Sequence, residues 1–226
     1  MTNSMTKAEV RARIEEVGII PGLRMSTAER ARIAAEAVYR AGIPIAEITM
    51  TVPGALGAIS GLAAAFPDMI VGAGTVLNRD TAARCVDAGA KFLTSTGLVL
   101  PVVEFAAKND VVVFPGALTP TEVIAAWDAG ADFVKVFPCG PMGGPAYIRA
   151  LKFPFPEIPL IATGGVNQLT AGSFILAGAT ALGIGTELVN PEALLAINPG
   201  QIRELVRRYL AIVQAARAQR SGGQIR

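Results

Sequence analysis

Short apolar runs alternate along the chain with longer amphipathic, alanine-rich stretches. The short runs are rich in β-branched residues and are typical of buried parallel strands, whereas the longer stretches repeat apolar positions at helical spacing. Eight such units follow one another, with predicted strands at 19–23, 43–50, 69–73, 91–94, 111–115, 132–137, 160–162 and 181–184. The predicted helices lie at 27–41, 53–66, 80–88, 100–107, 120–129, 145–151, 171–176 and 201–216, and one more, at 7–17, precedes the first strand.

This repetition predicts an α/β protein, a TIM (β/α)8 barrel with an extra N-terminal helix. An open doubly wound sheet is the alternative, but no Gly-x-Gly-x-x-Gly turn follows the first strand, and eight similar units favour closure. We expect one domain over residues 1–226, with the barrel at about 18–190, a C-terminal helix at 200–218 and a disordered tail at 219–226. Functional side chains of such a barrel gather where strands end and the following loops begin.

The composition narrows the chemistry of this barrel. The chain has no histidine, which excludes a histidine-ligated zinc site and a histidine general base. A net charge of +2, from 20 basic and 18 acidic residues, gives no electrostatic footprint for nucleic acid or an anionic membrane. No secretory signal, membrane-spanning run or closely spaced cysteine pair is present, since Cys85 and Cys139 lie far apart. We expect a cytoplasmic protein that acts on a small molecule.

Two predicted strands carry a charged residue within an apolar run. Lys135 shares a strand face with Phe133 and Phe137, and Glu47 shares one with Thr49. If these faces line the barrel, burial disfavours the charged amine, and a neutral amine can attack a carbonyl carbon to form an imine. Glu47 is then the candidate proton shuttle, because the chain lacks histidine. The alternative is structural: a lysine that reaches the barrel rim, or a salt bridge between the two residues.

Glycine-rich segments end three of the predicted strands. Residues 72–76 end the third strand and let a substrate approach the backbone, while Thr75 offers a hydroxyl. Residues 163–166 and 183–186 follow the seventh and eighth strands. The loops after these two strands are the usual phosphate site of a barrel, because backbone N–H groups there favour an anion. Ordinary turn glycines are the alternative.

Four segments together resemble the motifs of the 2-keto-3-deoxy-6-phosphogluconate/4-hydroxy-2-oxoglutarate aldolases. In chain order they are Glu47-Ile-Thr-Met, Gly72-Ala-Gly-Thr-Val, Phe133-Val-Lys-Val-Phe-Pro and Thr163-Gly-Gly. The resemblance implies a homotrimeric class I aldolase that reversibly cleaves a phosphorylated keto acid to pyruvate and glyceraldehyde 3-phosphate, and that also takes 4-hydroxy-2-oxoglutarate. It implies no metal and no cofactor, since a covalent lysine imine carries the chemistry.

The same resemblance implies a role for each matching residue. Lys135 is similar to the Schiff-base lysine and Glu47 to the general acid–base. The implied substrate-binding residues are Thr75 at the pyruvyl carboxylate, Phe137 as an aromatic wall, and Thr163, Gly164, Gly165, Gly185 and Thr186 around the phosphate. Two positions depart from the family, because Thr51 stands where some members carry a carboxylate-binding arginine and Thr96 where a proline is usual. Arg24, which is similar to an arginine of other members, is the candidate replacement.

Other functions fit parts of this pattern. A phosphate-binding barrel isomerase, or a thiamine-phosphate-synthase-like transferase, explains the late glycine loops but not Lys135 together with Glu47. A non-catalytic assembly scaffold has no need of either residue. A metal-dependent aldolase lacks histidine ligands, although a magnesium site made of carboxylates stays open. The expected partners are a small phosphorylated keto acid and further copies of the chain, with no nucleic acid and no membrane.

Overall fold

The computed structural model describes residues 5–190 and 199–223. The strands in these ranges are β1 Ile19–Leu23, β2 Ile45–Thr49, β3 Ile70–Gly74, β4 Phe92–Thr94, β5 Val112–Phe114, β6 Gly116–Ala117, β7 Val134–Val136, β8 Leu160–Thr163 and β9 Ala181–Ile184. The helices are α1 Lys7–Val17, α2 Ala28–Arg40, α3 Ala55–Ala65, α4 Arg79–Asp87, α5 Leu100–Lys108, α6 Pro120–Asp128, α7 Gly144–Lys152, α8 Ala171–Leu176 and α9 Pro199–Gly223.

The strands form one parallel barrel. Their order is β5-β4-β3-β2-β1-β9-β8-β7-β6, and every recorded pairing is parallel. The two end strands, β5 and β6, are separated by Pro115 alone, so the chain itself joins the two ends of the sheet. The backbone N–H of Lys135 donates to the Pro115 carbonyl oxygen at 2.9 Å across this junction. The predicted TIM barrel with an N-terminal helix is therefore confirmed.

The fifth predicted strand differs from the expectation of one run at 111–115. It is divided into β5 and β6, because Pro115 has no N–H to donate. A Cβ atom at Gly116 would overlap the backbone of Thr96, so only glycine permits this close approach. The Gly116 N–H donates to the Gly97 carbonyl at 3.2 Å. These contacts of Gly116 hold the loop after β4 against the mouth of the barrel.

Aromatic side chains fill the barrel interior on the side of α1. The rings of Phe92 and Phe114 stack with centroids 5.0 Å apart, and Phe133 meets Phe114 edge-on at 6.1 Å. Gly72 makes room for this cluster, because a Cβ atom there would overlap the Phe92 ring. The Arg11 guanidinium lies 5.6 Å from the Phe133 ring centroid. This cluster leaves the polar side chains of the strands to the opposite, carboxyl end of the barrel.

Helix α9 is longer than predicted and closes the amino end of the barrel together with α1. It continues to Gly223, so the prediction of a disordered tail is wrong for residues 219–223, while 224–226 lie outside the described residues. The Arg217 guanidinium donates to the carbonyl oxygens of Glu15 and Glu16 at 2.6 Å and of Thr180 at 3.0 Å. These bonds keep the last turns of the helix folded. None of the helices in the described ranges has the length and apolarity that a membrane crossing requires.

Candidate active site

A cavity of about 250 Å³ opens at the carboxyl ends of the strands. It brings together ten of the twelve residues that the sequence singled out: Arg24, Glu47, Thr96, Lys135, Phe137, Thr163, Gly164, Gly165, Gly185 and Thr186. The remaining two, Thr51 and Thr75, do not line it. Residues from strands on opposite sides of the barrel therefore share one space, as the inward alternation of β2 and β7 predicted.

Lys135 and Glu47 face each other in the depth of this cavity. The Lys135 Nζ atom lies 4.0 Å from Glu47 Oε2, and the two side chains are 7% and 9% exposed. This separation is longer than a direct hydrogen bond, but it suits one water molecule or one substrate hydroxyl between the two groups. Lys135 Nζ also lies 5.8 Å from the Phe137 ring centroid. The amine is thus held by a carboxylate and an aromatic face, within reach of a carbonyl that enters from the mouth.

A glycine on the neighbouring strand β3 makes the room that the Glu47 side chain occupies. In the strand register Glu47 pairs with Gly22 of β1 and with Gly72 of β3. A Cβ atom at Gly74 would overlap the Glu47 carboxylate and lie 2.6 Å from its Cδ, and one at Gly22 would lie 3.9 Å from Oε1. Gly74, in the segment predicted to admit a substrate, therefore first admits the Glu47 side chain.

Three further predicted polar residues follow the carboxyl ends of β1, β2 and β3. Arg24, at the end of β1, lines the cavity, and within residues 5–190 and 199–223 its guanidinium has no hydrogen bond or ion pair. Thr51 is exposed, and its Oγ1 lies 2.8 Å from Oγ1 of Thr49, which does line the cavity. Thr75 follows β3 with φ of 58°, a left-handed conformation that is strained for a β-branched residue. The free cation of Arg24 is available to an anionic substrate group.

The two glycine loops after β8 and β9 form the other end of the cavity. Gly164 and Gly165 both have φ of +84°, which only glycine adopts without strain. A Cβ atom at Gly165 would lie 2.7 Å from the Gly140 Cα, so this turn packs directly on the backbone after β7. Thr163 pairs with Gly183 across the two strands, and a side chain at 183 would overlap the threonine. Residues 163–166 and 183–186 thus offer backbone and hydroxyl groups and carry no charged side chain, which is compatible with a phosphate site.

Cys139 supports this loop from behind. Its Sγ–H donates to the Gly164 carbonyl oxygen at 3.2 Å, and the Gly140 N–H donates to the same oxygen at 2.7 Å. Burial raises the pKa of the Cys139 thiol to about 11, so the group keeps its proton at neutral pH. The thiol therefore acts as a hydrogen-bond donor and not as a nucleophile.

Sequence reasoning missed several residues of the cavity wall, namely Ile20, Gly22, Thr49, Asn167 and Glu187. Thr49 lies two residues after Glu47 on β2, and Gly22 lies two residues before Arg24, so the strand alternation offered a signal for both. Asn167 and Glu187 directly follow the two predicted phosphate loops, and no local pattern distinguishes them from ordinary turn residues.

The described part of the chain holds no group of three or more His, Cys, Asp or Glu side chains that a metal ion needs. The cationic group beside the reacting carboxylate is instead Lys135. A parallel barrel with a buried lysine–glutamate pair and two glycine loops at the carboxyl ends of its strands is typical of barrel enzymes that bind their substrates covalently through lysine.

Comparison with known proteins identifies the family within this class. The chain belongs to the KDPG and KHG aldolase family, whose model matches residues 10–205. The KHG/KDPG aldolase of Escherichia coli K12 is 31% identical over 189 residues, which are 84% of this chain and 89% of the relative.

Two solved structures extend the comparison. The KDPG aldolase of Legionella pneumophila, captured with pyruvate as a covalent carbinolamine, is 27% identical with a TM-score of 0.78, over 90% of this chain and 97% of its own. A cube-shaped protein cage designed by fusing symmetric oligomeric domains is 27% identical with a TM-score of 0.84, over 92% of this chain and 76% of its own. Sequence and structure therefore agree on an aldolase barrel.

Proposed function

We propose that this aldolase cleaves 2-keto-3-deoxy-6-phosphogluconate to pyruvate and glyceraldehyde 3-phosphate through an imine on Lys135. The observation that carries the proposal is the buried Lys135–Glu47 pair, 4.0 Å apart, in a cavity that ends in two glycine loops. A lysine held only for structure would be paired directly and sealed from the cavity. This lysine is paired loosely and is open to a ligand.

The first step joins the substrate to the enzyme. The Lys135 amine attacks the C2 carbonyl carbon, a proton is transferred to the carbonyl oxygen, and loss of water leaves a protonated imine. Glu47 supplies and removes the protons, because its carboxyl lies across the gap that the carbinolamine hydroxyl would fill.

The second step breaks the carbon–carbon bond. Glu47 takes the proton of the C4 hydroxyl, the C3–C4 bond breaks, and its electron pair moves into the imine to give an enamine. The aldehyde leaves, C3 takes up a proton, and water releases pyruvate and the free lysine. Because the imine accepts the electrons of the broken bond, the proposed mechanism uses no metal and no cofactor.

The surrounding residues divide between the two ends of the substrate. We assign the substrate carboxylate to Arg24 and the Thr96 hydroxyl, which both line the cavity, and the wall of the pyruvyl group to Phe137. Thr51 and Thr75 lie outside this lining, and Thr51 reaches it only through its contact with Thr49. The free guanidinium of Arg24 supports this assignment, since Thr51 itself carries no charge. We assign the phosphate to the Gly164–Gly165 backbone and to Thr163, Gly185 and Thr186, which lie on the adjacent ends of β8 and β9.

A second substrate and the assembly state complete the proposal. The relative from E. coli bears both substrates in its name, and the pyruvyl half of 4-hydroxy-2-oxoglutarate fits the same Lys135 chemistry. A homotrimer in the cytoplasm is proposed as well, supported by the similarity to an oligomeric domain used for cage design. Sedimentation velocity at micromolar concentration would distinguish a trimer from a monomer.

Trapping with borohydride tests the imine. The protein is incubated with pyruvate, reduced with borohydride and mapped by peptide mass spectrometry. We expect one pyruvyl adduct on Lys135, and no adduct and no pyruvate release in Lys135→Met. If the folded wild-type protein formed no adduct, the imine mechanism would be refuted. The alternatives would then be a phosphate-binding barrel isomerase or transferase, or a non-catalytic scaffold.

Lys152 provides the matched control. Burial lowers the pKa of this lysine, so it is the competitor for non-specific imine formation. Its Nζ, however, donates to the carbonyl oxygens of Pro156 at 2.6 Å and Ile158 at 2.8 Å, away from the cavity. Lys152→Met should keep both the adduct and the turnover of the wild type. An adduct on Lys152 and none on Lys135 would show that the labelling reflects non-specific amine reactivity and not the proposed mechanism.

A further inference from the structure

Glu187 brings a negative charge to the loop end of the cavity, where the phosphate is assigned. It belongs to the turn after β9 and lines the cavity together with Thr186 and Asn167. Across the residues that the structure describes, Glu187 makes no hydrogen bond and no ion pair. Within these residues no hydrogen bond or ion pair neutralises its charge, and that charge adds to burial in raising the pKa of the Tyr209 phenol.

The cavity has few cations that could offset the negative charge of Glu187. The charged residues of the lining are Arg24, Lys135, Glu47 and Glu187, two of each sign. Lys135 and Glu47 face each other at the reacting end, and Arg24 is the remaining cation. If Arg24 holds the substrate carboxylate, the loops are left with neutral donors for an anion and with Glu187 against it.

A phosphate dianion bound at Gly164 and Gly165 would lie close to this charge. Strands β8 and β9 are direct neighbours, with Thr163 beside Gly183, so the turns that follow them project side by side. Two like charges in one partly enclosed site repel each other, and the repulsion weakens as salt screens it. An unphosphorylated 2-keto-3-deoxy sugar acid has a terminal hydroxyl instead, which can donate a hydrogen bond to a carboxylate.

We infer that Glu187 is a specificity-determining residue that weakens binding of a phosphate dianion and accepts the terminal hydroxyl of unphosphorylated 2-keto-3-deoxy sugar acids. The inference rests on the proposed aldolase function and deepens it. The kcat/KM values for the phosphorylated and the unphosphorylated keto acid therefore lie closer together than they would in a cavity without the Glu187 charge.

Steady-state kinetics on both substrates test this role. Pyruvate release is followed for 2-keto-3-deoxygluconate and its 6-phosphate with wild type and Glu187→Gln. We expect the substitution to raise kcat/KM for the phosphate ester about tenfold and to lower it several-fold for the unphosphorylated acid. The advantage of the variant on the phosphate ester should shrink as salt rises. Glu104→Gln, an equal change of charge at an exposed position of α5, should alter neither value.

Two outcomes would overturn the inference. One is an unchanged ratio of the two kcat/KM values in Glu187→Gln, and the other is a loss of activity on the phosphate ester. Titration of both proteins with inorganic phosphate by calorimetry needs no turnover, and the variant should bind it about tenfold more tightly. If the wild type cleaved neither substrate but the variant still bound phosphate more tightly, the proposed function would be refuted and the effect of Glu187 on phosphate would stand. Equal phosphate affinities would refute the role itself.

Discussion

Two lysine–carboxylate pairs lie along the β7 segment, one just before the strand and one on it, and they differ in how closely the partners approach. At the amino end, Asp132 Oδ2 lies 3.0 Å from Lys7 Nζ and accepts the Val113 N–H at 2.8 Å. At the carboxyl end, Lys135 and Glu47 stay 4.0 Å apart. The first pair is closed and holds α1 onto the barrel. The second is longer than a direct hydrogen bond, so a substrate hydroxyl in the cavity can bridge the two charged groups.

The same contrast holds for the arginines of the two ends. The Arg217 guanidinium donates hydrogen bonds to three carbonyl oxygens, those of Glu15, Glu16 and Thr180. Arg24 has no such partner in the part of the chain that the structure describes. Charged groups at the amino end are thus saturated and stabilise the fold, whereas those at the carboxyl end are kept open for a ligand. Changes at the two ends should therefore affect different measurements.

The largest effect is expected at the carboxyl end, from Gly74→Ala. The new Cβ atom would lie 2.6 Å from Glu47 Cδ, so the carboxylate has to leave its place opposite Lys135. Because a positioned acid–base group contributes 10²-fold or more to rate, we expect kcat to fall by about 10²-fold. Pyruvate release measures this loss. Gly57→Ala in α3 is the control, since a Cβ atom there meets nothing within 4 Å, and an equal loss in that variant would refute the steric explanation.

At the amino end, Arg217→Met should affect stability and leave catalysis intact. The substitution removes hydrogen bonds to three carbonyl oxygens, and we expect the free energy of unfolding to fall by about 3 kcal/mol. Urea denaturation measures this change, and kcat/KM should stay within about twofold of the wild type. Arg208→Met removes only an exposed pair with Glu204 and should cost less than about 0.5 kcal/mol. Similar losses in both variants would contradict the closing role of Arg217.

The smallest effect is expected from Lys7→Met, which opens the closed pair on β7. Asp132 keeps its bond to the Val113 N–H, and Lys7 is 21% exposed, so we expect a loss of about 1–2 kcal/mol in the free energy of unfolding. Its kcat should not change, in contrast to Lys135→Met. A fall in kcat with unchanged stability would mean that the two ends of β7 are coupled, and the division of roles proposed here would be wrong.

The sequence predicted which strand residues face the cavity, because the alternation of side chains along a strand is a local property. Lys135 and Phe137 were placed on one face, and both line the cavity. Thr75 was expected in the site for its hydroxyl, yet it follows β3 with a left-handed φ and does not line the cavity. Its backbone conformation depends on the turn that follows Gly74, which no periodicity reveals.

The order of eight strand–helix units, the orientation of Lys135 and Glu47, and the glycine loops were determined by the sequence alone, since each depends on residues a few positions apart. Only the tertiary structure decided how closely distant segments approach: the contact of Gly116 with the Thr96 backbone, the space for Glu47 left by Gly74, and the position of Glu187 in the cavity wall. These features depend on the volumes and charges of residues that meet across the closed barrel, and side-chain contacts between distant segments are not encoded in local periodicity.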